Sequence, residues 1–130
     1  MADTEKRIWG IHTQDEELFL KGDKIAIGWK DIGNLQAIPA TREDFRAKYI
    51  QVYPDVKKGS IPTSVGMLFR FCHEVQIGDY VVYPSKSDRM INIGEVTGGY
   101  EYHPDEHEYV QQHSVTSLRH VPRTYFSQGA

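Results

Sequence analysis

Apolar positions recur at two different periods along the chain, and the changes of period mark out its elements. "RIWGIHT" (7–13) and "KIAIGW" (24–29) read as short strands, the second with Ile25, Ile27 and Trp29 at alternate positions. Between them, "DEELFLKGD" (15–23) is a polar loop or a single helical turn ended by Gly22. "KDIGNLQAIPA" (30–40) carries Gly, Asn and Pro and reads as a loop. The step then changes. Phe45, Tyr49 and Val52 recur by four and three, one face of a helix. Thr41 is positioned to cap it, with Asp44 completing a capping-box pattern, and Pro54 stops it. Val65, Leu68, Phe69 and Cys72 mark the face of a second helix, with Thr63 or Ser64 as cap and Gly66 weakening it slightly.

From Gly78 onward the pattern is strand-like again. Runs at 79–83 and 90–97, joined by the polar, partly basic loop Pro84–Arg89, lead into a bent continuation at 99–102. Residues 107–121, rich in Val, Tyr and Thr, predict one or two further strands. The order β–β–α–α–β–β–β groups strands at both ends of the chain, the α+β pattern. The expected fold is a curled, mixed, mainly antiparallel sheet approaching a partial barrel, with helices near 42–53 and 63–74.

The length, 130 residues, suits one domain with a modest core. Residues 1–122 are expected to form it, and 123–130 a tail or the start of a linker. A net charge of −3 argues against a polyanion-binding surface all round, and leaves room for a local basic groove. The single cysteine, Cys72, excludes an internal disulfide framework and suits a reducing compartment. The N-terminus is polar and charged, and no apolar run approaches the ~20 residues of a membrane span. A cytoplasmic protein without membrane contact is expected.

Candidate catalytic groups are weak. His103 and His107 have ligand-like spacing, but Pro104, Asp105 and Glu106 between them make an acidic turn, and no cysteine pair completes a site. Cys72 on an apolar face is expected to be buried and inert. Neither a nucleophile elbow, nor a P-loop, nor a dinucleotide fingerprint is present. The expectation is a non-enzymatic domain with no metal and no cofactor.

The aromatics carry more. Tyrosines on strands are usually half-buried sheet residues. Here, however, Trp29 precedes Lys30-Asp31-Ile32-Gly33-Asn34, Tyr83 precedes Pro84-Ser85-Lys86, and Tyr100 and Tyr102 follow Gly98-Gly99. Each ring stands where a strand opens into a loop, the usual seat of function on a rigid scaffold. The candidate pocket comprises Trp9, Trp29, Tyr83, Tyr100 and Tyr102 as aromatic walls, with Asp31, Asn34 and Ser85 as hydrogen-bonding groups. Lys30, Lys86, Arg89 and Arg119 are the candidate phosphate contacts on one concave face. Trp29 is expected to stand partly exposed near Tyr83 and the Tyr100–Tyr102 segment. Such a set suits a flipped or single-stranded base.

At these residues a resemblance appears. "GDYVVYPSK…INIGEVTGGYEYHPD" resembles the second half of a PUA-like domain of the EVE/YTH/ASCH type, and "RIWGIHT" resembles its Trp-bearing first strand. "IGWKDIGNL" occupies the position of a W-x-G-V-R-N loop, with Asp31 and Asn34 and without its Arg. The whole run, closing on Pro122-Arg123-Thr124-Tyr125-Phe126-Ser127-Gln128, is similar to the N-terminal domain of Mrr-like restriction endonucleases. The resemblance implies a reader of modified bases, in DNA with modified cytosine or adenine, that flips the base into an aromatic pocket and targets a fused nuclease in restriction or phage defence. Two alternatives stand beside it: a sensor for a small nucleotide-like ligand, and a protein-interaction domain without a pocket.

Overall fold

In the computed structural model, which describes residues 6–11 and 16–124, the two sequence periods become strands and helices. The order is β1 (Ile8–Gly10), α1 (Glu16–Leu20), β2 (Lys24–Ile27), α2 (Arg42–Val52), α3 (Ile61–His73), β3 (Tyr80–Ser85), β4 (Met90–Val96), β5 (Glu101–Tyr102) and β6 (Gln111–Pro122). Short 3-10 turns occupy Lys30–Ile32, Leu35–Ala37 and Lys58–Ser60. These elements form two compact units: 1–26, 76–99 and 113–130 make up the first, 27–75 and 100–112 the second.

The first unit is built on a sheet in the order β1-β3-β4-β6-β2. β1 runs parallel to β3, with Ile8 opposite Tyr80, whereas β3–β4 and β4–β6 are antiparallel. The β4–β6 register shifts between Ile93 and Gly94. A Cβ at Gly94 would stand 3.1 Å from the Thr116 carbonyl oxygen and 3.3 Å from Val81 Cγ2, so any larger residue there would have to push its neighbours by a few tenths of an ångström. Alternation along β3 turns Val81, Tyr83 and Ser85 inward. They join Phe19, Ile25, Val96 and Val115 in the interior of this unit.

The second unit is mostly helical. Ile32, Leu35 and Ile38 from the 3-10 turns and the segment after them pack with Phe45 and Tyr49 of α2 and Ile61, Val65 and Leu68 of α3. The Thr41 hydroxyl accepts from Asp44 N–H at 3.0 Å, the expected cap, but the reciprocal arm of a capping box is not made: the Asp44 carboxylate accepts from the Thr41 hydroxyl at 2.7 Å, and Thr41 N–H donates to the Pro39 carbonyl. β5 pairs with the first two residues of β6, Tyr102 opposite Gln111.

An α+β fold with a mixed, mainly antiparallel sheet is therefore observed, and both expected helices form. Several local expectations are corrected. α3 starts at Ile61, before Thr63 and Ser64, because Pro62 with its fixed φ suits the first turn; its N-cap, Ser60, makes no side-chain cap bond. β3 continues through Pro84 to Ser85, so the loop begins at Lys86 rather than at Pro84. Residues 107–121 form one strand, starting at Gln111. Cys72 is half-buried against the apolar cluster, and burial pushes its thiol up to about 11. The end of the first strand run, 12–13, and residues 125–130 of the expected tail lie outside the described residues. Among the described residues, no helix is long and apolar enough to cross a membrane.

Candidate functional site

The sequence-derived site residues fall into both units. Trp29, Lys30, Asp31, Asn34, Tyr100 and Tyr102 belong to the second; Trp9, Tyr83, Ser85, Lys86, Arg89 and Arg119 belong to the first.

In the second unit, β2 opens directly into the 29–38 loop. Trp29 adopts φ 58° and ψ 55°, the left-handed region, as N-cap of the first 3-10 turn. For a bulky aromatic this conformation is an outlier that holds only where surroundings impose it. The loop is clasped from several sides. Leu35 N–H donates to the Tyr100 hydroxyl at 3.0 Å, Gln111 Nε2 donates to the Gly33 carbonyl at 2.8 Å, and the Tyr100 hydroxyl donates to Gln111 Oε1. Burial pushes the Tyr100 hydroxyl up to about 12. Burial, then the Asp31 carboxylate, also raises Tyr53, against hydrogen bonds from the backbone N–H groups of Ile32 and Asp31. Asn34 accepts from Gln36 N–H at 2.9 Å and so caps the second 3-10 turn.

The consequence is a held loop. Trp29 is half-buried, packed partly against the apolar cluster, while Lys30, Asp31 and Asn34 are exposed. Tyr100 acts as a clasp, with its ring edge-on to Phe71 at 6.4 Å, rather than as an open wall. Tyr102 is half-buried on β5. A cavity of about 330 Å³ lies between the loop and α2, lined by Ile32, Asn34, Ile38, Asp44 and Lys48 among others.

In the first unit, three expected pocket groups have other roles. Tyr83 is 2% exposed, its ring against Phe19 at a centroid distance of 5.1 Å. It is mid-strand and inward because β3 extends to Ser85. Ser85 is fully buried, donating to Asp88 Oδ1 and accepting from Asn92 Nδ2 at 3.1 Å. The Trp9 indole N–H donates to Asp79 Oδ2 at 2.9 Å, and the Arg7 guanidinium lies 5.8 Å from the ring centroid. Trp9 thus anchors β1. Lys86, Arg89 and Arg119 are exposed, and Arg89 also has a positive φ, 57°.

Ser85, Asp88 and His120 have the composition of a hydrolase triad but the wrong order. The imidazole meets Asp88, at 3.5 Å, and the buried serine meets the same carboxylate. A nucleophile needs the base beside it and access to substrate. Among the described residues, no three His, Cys, Asp or Glu side chains are grouped as metal ligands.

A family model matches residues 10–128 of this chain. The chain belongs to the DUF8426 family, a domain of unknown function. No curated protein and no solved structure matches it. In this DUF8426 domain the residues that pattern reading passed over are Gln111, which clasps the loop, and Asn92, His120 and Arg123 around the β3–β4 hairpin. Only the amides of Gln111 and Asn92 inside otherwise apolar strand runs signal that something polar must be satisfied there.

Proposed function

We propose that this DUF8426 domain is a nucleic-acid-binding reader of the PUA-like kind, recognising a modified cytosine or adenine in DNA and directing a restriction or defence nuclease to it. The observation that carries the reading is the left-handed backbone at Trp29. Strain of this kind costs of order 1–3 kcal/mol and gathers at ligand clamps. Here it coincides with an aromatic ring at a strand end, beside exposed Lys30, Asp31 and Asn34. The clasp from Tyr100 and Gln111 would keep the loop preorganised for a flipped base. Extruding a base costs a few kcal/mol, and stacking on an aromatic returns ~1–3 kcal/mol. One methyl adds only ~1 kcal/mol of burial, so selectivity needs polar edge contacts, for which Asp31 and Asn34 are the candidates.

The test is titration of duplexes with and without modified bases at two salt concentrations. Preference for a modified duplex, reduced by ~1–3 kcal/mol in Trp29→Ala without loss of the folded state, is the expected result. Equal affinity for plain and modified duplexes would refute the reading. The cavity beside Asn34 favours a second possibility, a free nucleoside or nucleotide as ligand. That ligand would bind with no dependence on strand length.

A further inference from the structure

Where the β3–β4 hairpin meets the last residues of β6, the first unit carries a cluster that base stacking does not use. Asn92, 3% exposed, donates its amide hydrogens to the Tyr83 carbonyl at 2.9 Å and to Ser85 Oγ at 3.1 Å. Its Oδ1 is therefore the acceptor facing His120 Nδ1, and Nδ1 carries a hydrogen. Nε2 of the same ring stands 3.5 Å from Asp88 Oδ2. Asp88 Oδ1 is engaged by the Ser85 hydroxyl and by Met90 N–H at 3.1 Å. The Ser85 hydroxyl is the main cause holding the Asp88 carboxyl below its ordinary value.

Cations gather around this frame. Lys21, Arg119 and His120 line a cleft of about 470 Å³, with Ser117, Leu20 and Leu118 and no carboxylate. Lys21 also pairs with Glu17 at 3.5 Å, both side chains 77% exposed, a weak and salt-sensitive interaction. Arg89 and Arg123 line a second cleft of about 510 Å³ beside Asp88. Arg123 N–H donates to the Arg89 carbonyl at 3.1 Å, which ties the two cleft walls together. The acidic group that lines the second cleft, Asp88, already has partners on both oxygens.

We propose that this end of the first unit is a phosphodiester-binding face, with Arg89, Arg119 and Arg123 as contacts to the nucleic-acid backbone. The proposal rests on the nucleic-acid reading but is separable from base stacking at Trp29. Planar guanidinium groups bind phosphate oxygens in pairs. Cations repeated across two clefts that share the Asp88–His120 bridge suit a repeating anion.

The experiment uses the full chain and an unmodified fluorescent DNA duplex at about 50 and about 200 mM salt. In the Arg89→Ala/Arg123→Ala variant, the slope of log affinity against log salt should fall by ~0.9 for each phosphate that the variant no longer neutralises. Arg46→Ala, on exposed α2, should leave it unchanged. The unmodified duplex offers no modified base, so failure of base reading and failure of backbone binding are told apart. An unchanged slope in a folded double variant would overturn the proposal. So would polyglutamate competing as well as DNA, which would make the partner an acidic protein.

Discussion

The first unit buries polar side chains within its sheet, whereas the second joins an apolar helical cluster to two buried amides, Gln111 and Gln112. Asp79, Ser85, Asn92 and His113 are all buried in the first unit, among strands whose backbone bonds are already made. The second has an eight-residue apolar cluster, with polar bonding drawn to its loop by Tyr100 and Gln111. Among the described residues, no buried side-chain nitrogen or oxygen lacks a partner. The difference shows two ways of imposing one conformation. Buried polar groups select a hairpin geometry because any other leaves them unpaired. An apolar cluster secures the 29–38 loop through packing, and can carry a strained residue such as Trp29 at its margin.

The largest expected effect tests whether each unit depends on its own core. Tyr83→Ala and Phe45→Ala should each cost ~3–5 kcal/mol in denaturant unfolding. Hydrogen exchange should show early loss of protection in the first unit for Tyr83→Ala and in the second for Phe45→Ala. A Tyr83→Ala protein that melts like the parent would return Tyr83 to the role of an exposed wall.

A smaller effect separates strain from packing at Trp29. Both Trp29→Ala and Trp29→Gly remove the ring, but only glycine adopts φ near 58° without steric cost. Trp29→Gly should therefore be more stable than Trp29→Ala by about 1 kcal/mol. If alanine proves the more stable, the left-handed backbone is not a source of strain.

The smallest effect is confined to acid. Burial alone would raise the Asp79 carboxyl, but hydrogen bonds from the Trp9 indole, Gln76 N–H and Arg7 N–H, with the Arg7 charge, outweigh it and hold the group below its ordinary value. A depressed folded-state value stabilises above the unfolded value, near ~4, and the stabilisation is lost as pH falls through the folded value. Trp9→Phe removes one of these bonds. Its acid-unfolding midpoint should move to higher pH, and an unmoved midpoint would mean that the indole bond does not stabilise the carboxylate.

Local rules are enough for the helices and for most strands. The Phe45–Tyr49–Val52 step, the Thr41 cap and the strand runs read at 79–83 and 90–97 depend on neighbours within a few residues, and those neighbours are in the sequence. The exposed basic residues and the loop after Trp29 are legible for the same reason. Tertiary structure alone decides which aromatics face inward. Tyr83 reads as the end of a strand because Pro84 follows it, yet pairing of Pro84 with Ile91 extends β3 and turns Tyr83 onto Phe19. The Tyr100–Gln111 clasp on the loop and the His120–Asp88–Asn92 bridge join residues far apart in the chain. No period or propensity encodes such pairings, because their partners meet only when the backbone has folded and each buried polar atom must find one.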